Sequence, residues 1–162
     1  MLRPMSARLP RRLFLLALLG LSQAACAAPA RSEREARTEL LERAQAATVG
    51  VIAEAVDGAG SVATLGALRV GSGVVIADDG LVLTIGYLIL EAERVDLLVD
   101  GERRVPARVV AYDLATGFGL LLPLAPLNIA PVPLGRTAGL GTDDPLLIAS
   151  GLPGGTLSLA RL

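Results

Sequence analysis

Between residues 48 and 124 the chain is divided into short β-rich runs by turn-forming residues, and this spacing constrains the fold more than any other feature. Asp-Gly pairs stand at 57–58 and 100–101, and Asp-Asp-Gly stands at 78–80. Glycine adopts the positive φ that tight hairpins require, so each of these sites predicts a turn. About six strands fit between the turns, which is enough to close one small all-β barrel.

Alternation of apolar and polar residues gives the faces of one strand. Val95, Leu97 and Val99 are predicted to share one face of the strand, and Arg94, Asp96 and Asp100 to share the other. Pro106 lies in the next β-rich run. Because proline has no amide hydrogen, it predicts an edge strand or a bulge at that point.

The first 30 residues are typical of an export signal. Four arginines precede residue 13, an apolar run covers residues 13–21, and two small-x-small cleavage sites follow within residues 25–30. The apolar run is shorter than the roughly 20 residues that a membrane span needs. We therefore expect an exported protein, periplasmic or secreted, that meets a membrane only through its signal.

Two details of this segment leave alternatives open. The Arg11-Arg12 pair is compatible with either the general or the twin-arginine export route. Cys26 is a candidate for lipid attachment, although Gln23 stands where a lipobox normally has leucine. We expect Cys26 to be removed with the signal.

The composition excludes several kinds of site. All 15 basic residues are arginine, histidine is absent, and the single cysteine falls within the predicted signal. Without histidine or a mature cysteine we expect no metal site and no thiol catalysis. No phosphate-binding glycine motif predicts a cofactor, and a net charge of -1 predicts no nucleic-acid partner.

The mature chain divides into four predicted segments. A Ser-x-x-Glu capping box at Ser32 and Glu35 and apolar residues at helical spacing predict a helix that leads into the barrel. Prolines and glycines between residues 123 and 142 predict a linker, and Leu146–Ala149 is predicted to form a further strand beyond it. The predicted bounds are 31–46 for the helix, 47–124 for the barrel, 125–142 for the linker and 143–162 for the last segment.

Residues 71–89 carry the most specific motif: Gly-Ser-Gly, a strand, Asp-Asp-Gly, a second strand and then Gly-Tyr-Leu-Ile. This order resembles the first barrel of HtrA-type trypsin-like serine proteases, in which Thr-Asn-Ala-His-Val-Val follows the Asp-Gly turn and the second strand. Residues 95–110, 113–121 and 132–154 resemble further parts of the same family in the same order. The resemblance implies a trypsin-like first barrel, from about Val49, followed by the start of a second barrel.

The resemblance also locates the family's catalytic residues, and they are changed here. The histidine position falls on Tyr87 and the aspartate position on Gly117, and the chain ends before a Gly-x-Ser-Gly-Gly nucleophile segment. A serine hydroxyl needs a neighbouring base whose pKa lies near neutrality. A tyrosine, with a reference pKa of about 10, is a poor base there, and glycine has no carboxylate. We expect no catalytic residues, and a non-proteolytic homologue that binds peptides or unfolded envelope proteins.

Other arrangements offer no replacement for the triad. The serines at 61, 72, 150 and 158 have no histidine or lysine to activate them, since the chain contains neither. The acidic pairs at 78–79 and 143–144 are predicted to be solvated turn residues. For Tyr87 two roles remain: recognition or gating in a former cleft, or packing into the space that the triad leaves. We expect packing.

Two alternatives to a peptide-binding homologue remain open. The chain is an incomplete product of a longer gene for a serine endopeptidase-like protein, because a second barrel needs about six strands and this sequence supplies one or two. Otherwise it is a small structural or interaction barrel that uses only the first half of the fold.

Overall fold

The computed structural model describes residues 28–155 and 157–161, and a closed barrel of six antiparallel strands dominates them. Going round the barrel, the strands follow the order β1-β2-β3-β6-β5-β4, and β4 pairs with β1 to close it. This confirms the predicted all-β barrel. The strands are β1 (Thr48–Ala55), β2 (Leu68–Val75), β3 (Val82–Ile85), β4 (Ala92–Val99), β5 (Arg103–Asp113) and β6 (Phe118–Pro123).

Short helices and a separate strand pair accompany the barrel. One-turn helix α2 (Val62–Leu65) lies in the β1–β2 connection, and α3 (Gly86–Ile89) directly follows β3. After Pro123 the chain forms no helix or strand until β7 (Pro145–Ala149), which pairs antiparallel with β8 (Leu157–Arg161). None of the helices in the described residues is long and apolar enough to cross a membrane.

The N-terminal helix α1 (Ala28–Ala46) begins earlier than the sequence predicts. Ser32 therefore lies inside the helix, and its predicted role as the N-terminal cap is wrong. Proline is well tolerated in a first helical turn, so Pro29 does not delay the start. The chain divides into two units after Glu39, within this helix, and the barrel belongs to the unit that starts at Leu40. The predicted signal falls mainly on residues 1–27, which lie outside the described residues.

The barrel interior is aliphatic. Val95, Leu97 and Val99 share one face of β4, as predicted, and that face points inward. Valine and leucine fill the narrow interior without leaving polar groups unpaired, and burying each contributes about 1.5–3 kcal/mol. The core cluster consists of Val49, Val51, Ala53, Val75, Val82, Leu88, Ile89, Val95, Leu97, Val99, Val105, Leu121 and Leu127.

Asp96 lies on the other face of β4 from these core residues, as the alternation predicts. It points away from the core but is only 4% exposed. Its cross-strand neighbours on this outer face are Ile52 and Pro106, and Arg94 pairs with its carboxylate at 3.0 Å. Strand neighbours and an ion pair thus bury a charge on the outer face of the barrel.

Pro106 lies within the barrel, opposite Asp96, at neither a free edge nor a bulge. The bulge of β5 falls later, between Val109 and Ala111. The carbonyl of Pro106 accepts a hydrogen bond from Leu124 N–H at 2.8 Å, just past the end of β6. The amide hydrogen that proline lacks would point the same way, so its absence costs no bond inside the β5–β6 ladder.

Glycines on the inner side of the strands make room for large side chains. A Cβ on Gly71 would lie 2.5 Å from Leu88 Cδ1, and one on Gly73 would lie 2.5 Å from Val82 Cγ1. A Cβ on Gly119 would overlap Ile89. The glycines of the Gly-Ser-Gly motif are therefore packing residues of the barrel wall.

Gly73→Ala is expected to lower the free energy of unfolding by about 1–3 kcal/mol, because the added methyl overpacks the core against Val82 and Val51. Gly135→Ala is the matched control, since nothing lies within 4 Å of its Cβ position, and it should change stability by no more than about 0.5 kcal/mol. Urea unfolding of the three proteins measures both. Equal stability of the two variants would contradict this account of the barrel wall.

Candidate functional site

The two positions that the resemblance assigns to histidine and aspartate lie side by side. Helix α3 starts where β3 ends, and the Gly86 N–H donates a hydrogen bond to the Gly117 carbonyl at 2.7 Å. Tyr87 is the next residue of α3, and Gly117 immediately precedes β6. The fold thus brings both predicted site residues to one corner of the barrel, where β3, α3 and β6 meet.

The backbone at Gly117 explains why a glycine stands there. Its φ is +73°, in the left-handed region that favours glycine. Its N–H donates to the Asp113 carbonyl at 2.8 Å and closes the five-residue turn between β5 and β6. A Cβ would meet nothing within 4 Å, so conformation rather than crowding favours glycine.

Asp113, the nearest carboxylate along the chain, belongs to the same turn. Its Oδ1 accepts a hydrogen bond from Ala115 N–H at 3.0 Å, and its Oδ2 accepts one from the Thr116 hydroxyl at 2.7 Å. These bonds, the Thr116 hydroxyl first, lower the pKa of Asp113 below its ordinary value. The carboxylate is used within its own turn and does not replace an acid at Gly117.

The aromatic residues of the described chain lie around this corner. The described residues contain three of them: Tyr87 is 46% exposed, Tyr112 40% and Phe118 52%. We call these three residues the aromatic corner. Phe118 pairs across the sheet with Ile85, which is also exposed. Large apolar side chains held in solvent mark a surface suited to interaction.

The Tyr112 ring packs over the glycine that precedes Tyr87. A Cβ on Gly86 would overlap this ring. The Tyr87 side chain remains largely exposed. Sequence reasoning missed Tyr112 and Phe118, although their position on either side of Gly117 was a usable signal in a chain with so few aromatic residues.

A shallow cavity of about 250 Å³ adjoins Phe118 on the outer face of β2 and β3. Ser72 lines it, and its hydroxyl accepts a hydrogen bond from Gly151 N–H at 3.0 Å. The Thr84 hydroxyl donates to the Ser72 carbonyl at 2.9 Å. Ser72 thereby attaches the segment after β7 to the barrel. The lining residues are Thr48, Ser72, Gly73, Val74, Leu83, Thr84, Phe118 and Ala149.

The other predicted serines are engaged or lie away from the corner. The Ser61 hydroxyl donates to Glu91 Oε2 at 2.5 Å, and the Ser150 hydroxyl accepts from Leu152 N–H at 3.5 Å. Ser158 is an exposed residue of β8. Within the described ranges, no group of three or more His, Cys, Asp or Glu residues is arranged to hold a metal ion.

The acidic pairs occupy turns, as predicted. Asp79 accepts a hydrogen bond from Leu81 N–H at 3.0 Å, and Asp144 accepts one from Gly141 N–H at 2.8 Å. Both contacts are short-range side-chain bonds of the kind that shape loops.

Comparison with known proteins identifies the family. Residues 71–160, more than half of the chain, match the trypsin-like peptidase domain. The chain belongs to the trypsin-like peptidase domain family. The resemblance drawn from the Gly-Ser-Gly motif and the similar segments after it is therefore confirmed. The matched residues include Tyr87 and Gly117. No curated protein sequence matches the chain.

Solved structures share the fold at low sequence identity. The HtrA-type protease AlgW with a tripeptide is 21% identical, with a TM-score of 0.62 over 75% of this chain and 38% of that chain. A variant of AlgW with a tripeptide is 22% identical, with a TM-score of 0.62 over 75% of this chain and 38% of that chain. The serine endoprotease from Yersinia pestis is 22% identical, with a TM-score of 0.60 over 76% of this chain and 43% of that chain. The chain thus spans about two fifths of the length of these HtrA-type structures.

Thr116→Ala is expected to raise the pKa of Asp113 towards its ordinary value, because the hydroxyl bond that most favours the ionised form is lost. A carboxyl group whose pKa is lowered by folding stabilises the folded state at pH values above its unfolded-state pKa. This stability is lost as the pH falls through its folded-state pKa. At neutral pH the variant should lose the part of this stability that the Thr116 hydroxyl supplies, while the bond from Ala115 N–H remains. Carboxyl NMR titration of the parent, Thr116→Ala and the distant control Thr137→Ala measures the shift, and identical Asp113 titrations would contradict the assignment.

Proposed function

We propose that this trypsin-like domain binds peptides without hydrolysing them. The observation that carries the proposal is the corner where Gly86 N–H meets the Gly117 carbonyl at 2.7 Å. The backbone that would present a base and an acid is assembled there, but it presents a phenol at Tyr87 and no side chain at Gly117. The site therefore offers contact surface without acid–base chemistry.

The chemistry of peptide hydrolysis supports the first half of this proposal. A serine nucleophile must lose its proton to a base that is held within hydrogen-bond reach and oriented by a third group. The sequence contains no histidine, and the resemblance to the family puts its base at the position of Tyr87. A serine contributed by any further length of polypeptide would meet the same tyrosine, so this argument does not depend on where the chain ends.

The surface of the aromatic corner supports the second half. Tyrosine and phenylalanine bury much apolar area at modest entropic cost, and tyrosine adds a hydroxyl that can hydrogen-bond a peptide. The adjoining cavity of about 250 Å³ has room for one apolar side chain. The AlgW structures are described as containing a tripeptide. Because this chain spans only part of that protein, binding here is proposed from its own surface.

The proposed lack of hydrolysis has a direct test. The 162-residue protein, incubated with reduced and carboxymethylated casein, should produce no fragments, and a fluorophosphonate probe should add no mass to any serine. A contaminating protease is recognised because its activity disappears on repurification. Cleavage that survives repurification and is abolished by one Ser→Ala substitution would show that the domain is a peptidase.

Peptide binding is tested with fluorescein-labelled, reduced and carboxymethylated α-lactalbumin in an anisotropy titration. Tyr87→Ala and Phe118→Ala should each weaken binding about tenfold or more, the effect of losing an aromatic anchor. Leu140→Ala is the control, because Leu140 is similarly exposed (47%) but lies in the connection before β7. Equal affinities for parent, corner variants and control would instead favour a structural barrel.

The proposal includes export. It is supported by the arginines, the apolar run and the small residues of the first 30 positions. In the protein recovered from the envelope or culture fluid of its native cells, N-terminal sequencing is expected to find residue 28 or residue 31 as the first residue. Recovery of the uncleaved chain from the cytoplasm would overturn this part of the proposal.

A further inference from the structure

Arg69 is a buried cation beneath the corner, only 4% exposed, and its guanidinium reaches two parts of the chain. Its Nη1 donates hydrogen bonds to the carbonyl oxygens of Tyr87, at 3.1 Å, and Leu90. On the other side, its Nε donates to the Gly66 carbonyl at 3.1 Å. A buried guanidinium requires such partners, because an unpaired charge away from water is strongly destabilising.

Ser61 and Glu91 extend this contact. Arg69 Nη2 donates to the Ser61 hydroxyl at 2.6 Å, which donates in turn to Glu91 Oε2 at 2.5 Å. The Ser61 N–H also donates to this oxygen, at 2.9 Å. The Glu91 carbonyl accepts a hydrogen bond from Val56 N–H at 2.8 Å. The β1–β2 connection is therefore fastened to the residues that follow α3.

The geometry points to Arg69 as the positioning residue for Tyr87, with Ser61 and Glu91 coupling it to the β1–β2 connection. Helix α3 has a single turn, and so short a helix has little stability of its own. Its last carbonyls lack intrahelical partners, and a cation at a helix C-terminus is favourable. The Arg69 guanidinium lies at the C-terminus of α3 and donates a hydrogen bond to the Tyr87 carbonyl itself.

This arrangement couples two surfaces of the domain. The β1–β2 connection carries exposed apolar residues, Val56 and Leu65, and one guanidinium joins it to α3. A partner that displaces the β1–β2 connection would therefore weaken the hydrogen bonds that position Tyr87. The inference concerns how Tyr87 is held, and it stands whether or not the aromatic corner binds peptides.

The test measures Tyr87 directly. The sequence has two tyrosines and no tryptophan, so in a Tyr112→Phe background the fluorescence anisotropy decay reports Tyr87 alone. Arg69→Met should increase the local motion of Tyr87. It should also accelerate amide exchange at Gly86, whose N–H bonds Gly117, by about tenfold or more relative to the β3 amides, as expected for lost hydrogen bonds to a charged group.

Two further variants complete the design. Arg69→Lys should recover part of the parent behaviour, because an ammonium can reach one carbonyl but cannot span both segments as the planar guanidinium does. Arg104→Met removes an exposed arginine of β5 and should change neither readout. Because neither readout involves a peptide, failure here is distinct from failure of the proposed function.

Ser61→Ala keeps the inference testable if Arg69→Met does not fold. It removes the hydroxyl between Arg69 and Glu91 but leaves the guanidinium bonded to α3. We expect a smaller change at Tyr87 and Gly86 in the same direction. Unchanged anisotropy and Gly86 exchange in Ser61→Ala and in any folded Arg69→Met, or equal acceleration of every amide, would overturn the positioning role.

Discussion

The insertion of two side chains of α3 into the barrel is the contact on which the candidate site depends. Leu88 packs over Gly71, and Ile89 packs over Gly119, in space that a Cβ on either glycine would occupy. Successive helical residues point about 100° apart, so burying these two turns the preceding residue outward. Tyr87 is exposed because its neighbours are core residues. The same geometry would present any side chain at that position to solvent.

The corner is held by groups that do not involve the side chains at the two changed positions. The Gly86 N–H bonds the Gly117 carbonyl, and Arg69 bonds the Tyr87 carbonyl. The turn at Gly117 is fixed by its own N–H and by Asp113. Since backbone groups and remote side chains carry the structure, a catalytic histidine and aspartate are dispensable for this arrangement. The barrel and this corner therefore do not require a histidine at position 87 or an aspartate at position 117.

Local patterns predicted the barrel well because they report local requirements. The Asp-Gly turns and the alternation of Val95, Leu97 and Val99 each concern residues that are near in sequence. The features that the sequence did not predict depend on residues that are distant along the chain. Asp96 is buried by strands more than forty residues before it and ten after it. Arg69 finds its partners up to 21 residues away. No periodicity in one sequence reveals such contacts, and nothing in the spacing predicts that the Tyr112 ring lies over Gly86.

The Gly-Ser-Gly motif illustrates what a family match measures in this chain. Gly71 and Gly73 admit core side chains, while Ser72 points outward and accepts the Gly151 amide. Gly151 in turn lies so close to β1 that a Cβ would overlap the Val49 backbone. Each residue of the motif thus serves barrel closure or attachment of the chain after β7. Sequence similarity at such residues indicates that the chain packs like other members of the family. Hydrolysis depends on individual side chains that packing does not require, so Tyr87 and Gly117 weigh more in assigning function than the long match around them.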